Sequence, residues 1–181
     1  MFLEAKPDGR IRPLVDLRFR NDNTVADHSQ IPNQQTILHA VAKGKYRSKI
    51  DLRDAYFQTR VHPDDVKYNS IKTPFGGFPS QVMMQGDLNA PATFVRVMED
   101  LFHDELGKFI WIYIYNIFIF SNSFEEHIKH VQQVCRKLKK HKFYANSKKS
   151  VLFAAKLDIL DHMIDDKGIH PALEKIRNIM D

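Results

Sequence analysis

The chain has 181 residues, of which 43% are hydrophobic and 27% charged. That balance excludes a disordered or fibrous polypeptide and leaves room for one hydrophobic core but hardly for two independent ones. The formal charge of +5 is compatible with a nucleic-acid partner without requiring one.

The single cysteine, Cys135, excludes an internal disulfide. The longest apolar run, 109–120, is interrupted by Asn116 and falls short of the about 20 residues a membrane helix needs, so no membrane association is expected. The opening residues are charged and carry Pro7 and Gly9, unlike a signal peptide. An intracellular location, cytoplasm or nucleus, is expected.

In chain order, Pro7-Asp8-Gly9 predicts a turn and 11–17 a short strand interrupted by Pro13. The polar stretch 21–35 predicts a surface loop. A short helix over 36–41 is expected to stop at Lys43-Gly44, because glycine commonly follows a helix C-terminus. Residues 49–61 predict a strand and then a turn or short helix, and 72–84 a turn at Thr73-Pro74-Phe75-Gly76-Gly77 followed by an apolar strand. Asn89-Ala90-Pro91 is a helix start, and Phe94, Val97, Met98, Leu101 and Phe102 continue it at helical spacing. The segment 108–121, rich in Ile, Phe and Tyr, predicts two buried strands around a tight turn. Ser123 and Glu126 make a capping-box pattern. Ile128, Val131, Val134, Cys135 and Leu138 follow as an apolar face, with Cys135 as a small buried hydrophobe. Lys129, Arg136, Lys137, Lys139 and Lys140 lie off that face. Strands around 151–153 and 157–164, and a helix from about Ala172, complete an α+β order.

Several of these segments, in sequence, resemble reverse transcriptases of gypsy-class LTR retrotransposons. Asp8 to Arg12 and Val15 to Asn21 resemble the fingers strands, and Tyr46-Arg47-Ser48-Lys49-Ile50-Asp51-Leu52-Arg53-Asp54-Ala55-Tyr56 the first catalytic motif. Lys72 to Gly76 and Asn89 to Phe94 resemble the segments that hold template and nucleotide. Asn146-Ser147-Lys148-Lys149 and Leu160-Asp161-His162 resemble later palm motifs. The resemblance implies a reverse-transcriptase-like palm, an antiparallel sheet backed by helices, with partial fingers and no thumb. Within one domain, 1–45 and 57–90 would be fingers-like, 46–56 and 91–181 palm-like.

Polymerases of this family join nucleotide to primer with two metal ions about 4 Å apart, held by hard carboxylate oxygens. The family supplies one aspartate from the first motif, matched by Asp51, and two adjacent ones from the tip of the long hairpin. Here the tip reads Tyr113-Ile114-Tyr115-Asn116, so Tyr115 and Asn116 stand where both aspartates are expected. A phenol with a pKa of about 10 is a poor magnesium ligand, and an amide brings no charge. The same pair lacks the mutual repulsion of two aspartates, and Asn116 tolerates the left-handed backbone a tight turn needs. Further departures are Gln85-Gly86-Asp87-Leu88, where the family has Phe-Gly-Leu, and Asp161, where it has glycine.

Within the resemblance, Arg12 would hold a triphosphate, Tyr56 check the sugar, Gln85 contact a nucleotide and Lys148 and Lys149 approach phosphates. Each has a plain alternative: solvated surface for Arg12 and the lysines, core for Tyr56, a structural hydrogen bond for Gln85, a strand-end acid for Asp51. Asp54, Asp87 and Asp161 are the acids that could rebuild a metal site. The histidines show no zinc-site spacing with cysteine. The expected function is a non-catalytic relative of RNA-directed DNA polymerase with weak, non-specific RNA or DNA binding and an unidentified protein partner. No cofactor is expected, with Mg or Mn required if the chain is active. The alternatives are an active polymerase with an unusual metal site and a protein-binding module that reuses the palm sheet.

Overall fold

The computed structural model describes residues 2–5, 9, 11–29 and 32–172. The expected turn at Pro7-Asp8, the helix beyond Ala172 and the side chain of Arg12 lie outside the described residues. The elements are β1 (Phe2–Ala5), β2 (Ile11–Leu14), α1 (Arg18–Asp22), α2 (Gln34–Lys43), β3 (Tyr46–Asp51), β4 (Ser70–Thr73) and β5 (Gly76–Pro79). They continue with α3 (Ala90–Leu101), β6 (Ile110–Tyr113), β7 (Asn116–Ser121), α4 (Phe124–Lys140), β8 (Val151–Ala154), β9 (Leu157–Ile159), β10 (His162–Asp165) and β11 (Gly168–Pro171). The chain divides into two compact units, Met1–Ser29 with Asp54–Phe94, and Gln30–Arg53 with Val95–Asp181.

The first unit holds two antiparallel hairpins, β1–β2 and β4–β5. Residues 15–21 are not strand as expected: Arg18–Asp22 is a helical turn with Asp16 ahead of it. Asp16 accepts from the backbone and guanidinium of Arg18, which holds its carboxyl down at about 2. Arg20 points inward instead, donating to Asn69 and pairing with Asp87 at 2.7 Å. The expected apolar strand after the 73–77 turn is β5, which is exposed throughout.

The second unit is built on a four-stranded antiparallel sheet in the order β6-β7-β3-β8. Strand alternation sends neighbouring residues to opposite faces. Ile117 and Ile119 of β7 share a face with Ser48 and Ile50 of β3, and α4 packs against both strands. The other face places Phe118, with Trp111 and Phe120, against Ile37, Leu38 and Val41 of α2 and Leu157, Ile159 and Ile164 of a second sheet, β11-β10-β9.

The capping box forms as expected, with Ser123 Oγ accepting from Glu126 N and Glu126 accepting from Ser123 N. The buried stripe of α4 is His127, Val131, Val134 and Leu138. Cys135, expected inside, is exposed. The stripe is rotated toward His127 because that ring bonds the sheet. Ser48 Oγ lies 2.7 Å from its Nε2 and Ser121 Oγ 2.8 Å from its Nδ1. A neutral imidazole offers one donor and one acceptor, so both nitrogens are matched.

Gly44 ends α2, but at φ −75° it needs no left-handed freedom. Its requirement is space: a Cβ there would lie 2.7 Å from that of Phe120, because Lys45 N donates to Ser121 O where the chain enters the sheet. Arg47, 2% exposed, donates to the carbonyls of Val41, Ala42, Ala155 and Asp165 and to Asp166 Oδ1. One guanidinium thereby ties α2, the β8–β9 connection and the β10–β11 turn to β3.

Candidate functional site

The hairpin β6–β7 turns through Ile114 and Tyr115, with Tyr113 and Asn116 as its last cross-strand pair. Two-residue hairpin turns require positive φ at their first central residue. That residue is Ile114, at φ 53°, and not Asn116, which opens β7 in extended backbone. A β-branched residue in the left-handed region is strained. Tyr115 is 42% exposed, and its carbonyl accepts from Leu52 N at 2.9 Å. Asn116 is the register partner of Asp51 at the end of β3, so Asp51, Tyr115 and Asn116 meet at one end of the sheet.

A second turn is fastened to the same place. Asp51 N donates to Ser150 Oγ (3.1 Å), and Asn146 N donates to Asp51 O (2.8 Å). Asn146 also accepts from Lys148 N through its side chain and from Lys149 N and Ser150 N through its carbonyl. Lys148 and Lys149 are held there, exposed, beside Asp51. Ser150 is the residue that sequence reasoning missed, and Asn146 was named only as part of a palm motif, without its role in fastening this turn. The side chain of Asn146 accepting two residues on is the pattern that could have revealed them.

Beside the tip lies a cleft of about 810 Å³ lined by Gln34, Lys49, Tyr113, Ile114, Tyr115 and Asn116 on one side and Asp158, Leu160, Asp161 and Met163 on the other. Lys49 Nζ donates to Asp158 O (3.0 Å) and Gln34 Nε2 to Tyr113 Oη (2.6 Å). Leu160 and Asp161 both have positive φ, 49° and 62°. The second is a conformation that glycine adopts freely and that aspartate tolerates better than most residues. Lysine 49 is the one cation among these lining residues, against the two carboxylates of Asp158 and Asp161.

The remaining candidates belong to the first unit. Tyr56 is partly buried in a 3-10 turn, its ring edge-on to Phe94 at 6.0 Å. Gln85 is partly buried beside Gly86, whose φ is 93°. Arg12 is described only through its backbone, paired with Glu4. Of the acids that could rebuild a metal site, Asp87 is engaged by Arg20 and Asp54 occupies a left-handed position at φ 44°. Asp161 lies in the cleft with Tyr115 and Asn116. Among the described residues, no group of three or more His, Cys, Asp and Glu gathers to hold a metal. The donor set at the tip is one carboxylate, one phenol and one amide, which does not fit a pair of hard divalent cations.

Comparison with known proteins gives a consistent result. The family model described as reverse transcriptase (RNA-dependent DNA polymerase) matches residues 5–164. The retrovirus-related Pol polyprotein from transposon 297 of Drosophila melanogaster is 30% identical over 179 residues, 97% of this chain and 17% of that protein. The corresponding polyprotein from transposon gypsy of the same fly is 24% identical over 170 residues, 94% of this chain and 16% of that protein. A solved foamy viral protease-reverse transcriptase, in complex with double-stranded DNA, superposes with a TM-score of 0.90 at 25% identity, covering 99% of this chain and 31% of that one. The chain therefore spans under a third of each of these relatives.

Proposed function

The chain belongs to the reverse transcriptase (RNA-dependent DNA polymerase) family, and from that premise we propose that it is a retrotransposon-type palm that has lost polymerase chemistry. The observation that carries this reading is the hairpin tip: Tyr115 and Asn116 occupy the end of the sheet beside Asp51 and bring no carboxylate to it. Metal stabilisation of the attacking and leaving oxygens contributes several kcal/mol, and each 1.4 kcal/mol is about tenfold in rate. With one carboxylate left, a loss on the order of a thousandfold or more is expected.

What remains is weak, sequence-indifferent contact with RNA or DNA. Lys148 and Lys149, held beside Asp51, supply phosphate contacts. We assign the fingers-like part to 1–45 and 57–90, with Arg12 and Gln85, and the palm-like part to 46–56 and 91–181, with Tyr56. Few phosphates are neutralised at once, so affinity should fall only shallowly with salt.

A second reading is an active polymerase with an unusual metal site. One observation favours it: Asp161 and Asp158 line the same cleft as Tyr115 and Asn116. Primer extension on a homopolymer template, with Mg²⁺ and with Mn²⁺, separates the two readings. The native chain should not exceed an Asp51→Ala control. Extension above that control, lost on Asp161→Asn, would establish the second reading.

A further inference from the structure

β8 exposes three consecutive apolar residues, Val151, Leu152 and Phe153, at 41%, 47% and 39%. It is the last strand of its sheet, and among the described residues its outer edge has no strand partner. Phe124, 45% exposed at the start of α4, packs its ring against Phe153 at 5.5 Å and Tyr46 at 5.6 Å. Phe153 and Phe124 thereby join the exposed sheet edge to the start of the helix as one aromatic pair. Contiguous exposed apolar patches of this kind mark interaction surfaces more often than scattered single residues do.

The patch is held in place at a conformational cost. β8 carries one extra residue between its pairings Lys49↔Val151 and Arg47↔Ala154, and Phe153 sits at φ 55°. A left-handed aromatic residue persists only where its surroundings over-determine it. Here they do. Phe153 N donates to Ser48 Oγ at 3.0 Å, Ser48 contacts the buried His127, and the His127 ring meets Phe153 edge-on at 5.1 Å. A fully buried polar network thus fixes a strained residue whose ring remains partly in solvent.

The charges around the strand select the occupant. Lys148 and Lys149 precede it and Lys156 follows it, all exposed. Two copies paired antiparallel through β8 would set these lysines against each other, and like charges across strands repel. Lysines and bulges at an edge also discourage self-pairing. Glu125 and Glu126 lie next to Phe124, but Glu126 is engaged in the capping box.

We propose that β8 and Phe124 form a docking surface for an extended segment of a partner protein, apolar at its centre and flanked by Asp or Glu. The partner adds its backbone along the free edge and packs its apolar side chains on Leu152, Phe153 and Phe124.

The test uses the whole chain and two labelled peptides, alternating Val and Thr at the centre, one flanked by glutamates and the other by lysines. Fluorescence anisotropy should detect the acidic peptide and not the basic one. Leu152→Lys should weaken the acidic peptide at least about tenfold, as loss of an interface anchor does. Leu152→Ser, a milder change, should weaken it with the melting curve unchanged, which separates binding from folding. Lys148→Glu with Lys149→Glu should move the preference to the basic peptide. Equal binding of both peptides would overturn the proposal. So would acidic-peptide binding that is indifferent to residue 152 and displaced by oligothymidylate, which would make the site a polyanion surface. Self-association of the native chain, abolished by Leu152→Lys, would assign the edge to a second copy and overturn it equally.

Discussion

At the tip of the β6–β7 hairpin, Ile114 sits at φ 53°, Tyr115 is 42% exposed, and the pair Tyr115-Asn116 brings no carboxylate. Three to five register steps from the tip, Ser48 of β3 and Ser121 of β7 are buried with His127 of α4 and satisfy one another, while Arg47 makes five hydrogen bonds under 3% exposure. The sheet is held together by matched polar connections at one end and presents one carboxylate, one phenol and one amide at the other. Scaffold and site are separable because they draw on different interactions. The scaffold needs matched hydrogen bonds and packing, and the site needs uncompensated negative charge that only metal would relieve.

If that contrast is sound, damage to the scaffold should cost most. Arg47→Met removes five donors and leaves four carbonyls and Asp166 without that partner. A loss of about 3–5 kcal/mol is expected, because several carbonyls in and around the core lose their donor at once while Asp166 stays exposed to solvent. Urea melts of both proteins measure it, and a change below about 1 kcal/mol would mean that the clasp is ornamental.

The buried histidine should make the scaffold acid-sensitive. Burial, with a smaller contribution from His130, lowers the pKa of His127 from 6.5 to about 4. The unfolded chain takes up this proton near pH 6.5 and the folded chain only near pH 4. Stability from this group is therefore complete above pH 6.5 and is lost as pH falls toward 4. The span corresponds to on the order of 3 kcal/mol. Burial also lowers the pKa of His130, adding in the same direction. Stability measured from pH 7 to 4 should fall steeply in the native chain and less steeply in His127→Gln.

These scaffold features were only partly legible in the sequence. The hairpin at 110–121, the helix from Ala90 and the capping box at Ser123 follow from short-range pattern, turn and cap chemistry, and all three form. The family resemblance, resting on ordered motifs, led to the same palm. Arg47 gave no signal, because its partners lie on three separate segments brought together only by the fold. His127 was overlooked because hydrophobic periodicity does not count a histidine as core, which shifted the expected stripe toward Cys135. Ile114 was overlooked because turn chemistry favours Asn, whereas hairpin register fixes which residue must turn left-handed.

At the tip, change should cost less and carry the opposite dependence on ions. Tyr115→Asp with Asn116→Asp sets two new carboxylates near Asp51. In metal-free buffer this should destabilise the protein by about 1–3 kcal/mol. An unchanged or raised urea midpoint would mean that the native pair relieves no electrostatic strain.

The most direct test of the separation between scaffold and site is the melting temperature of these two proteins as Mg²⁺ is added. Selective binding to the folded state raises stability with ligand concentration. We expect Mg²⁺ to restore part of the loss in the Tyr115→Asp, Asn116→Asp protein and to leave the native chain unmoved. A clear rise in the native melting temperature at sub-millimolar Mg²⁺, abolished by Asp51→Ala, would contradict the reading that this palm has lost its metal site.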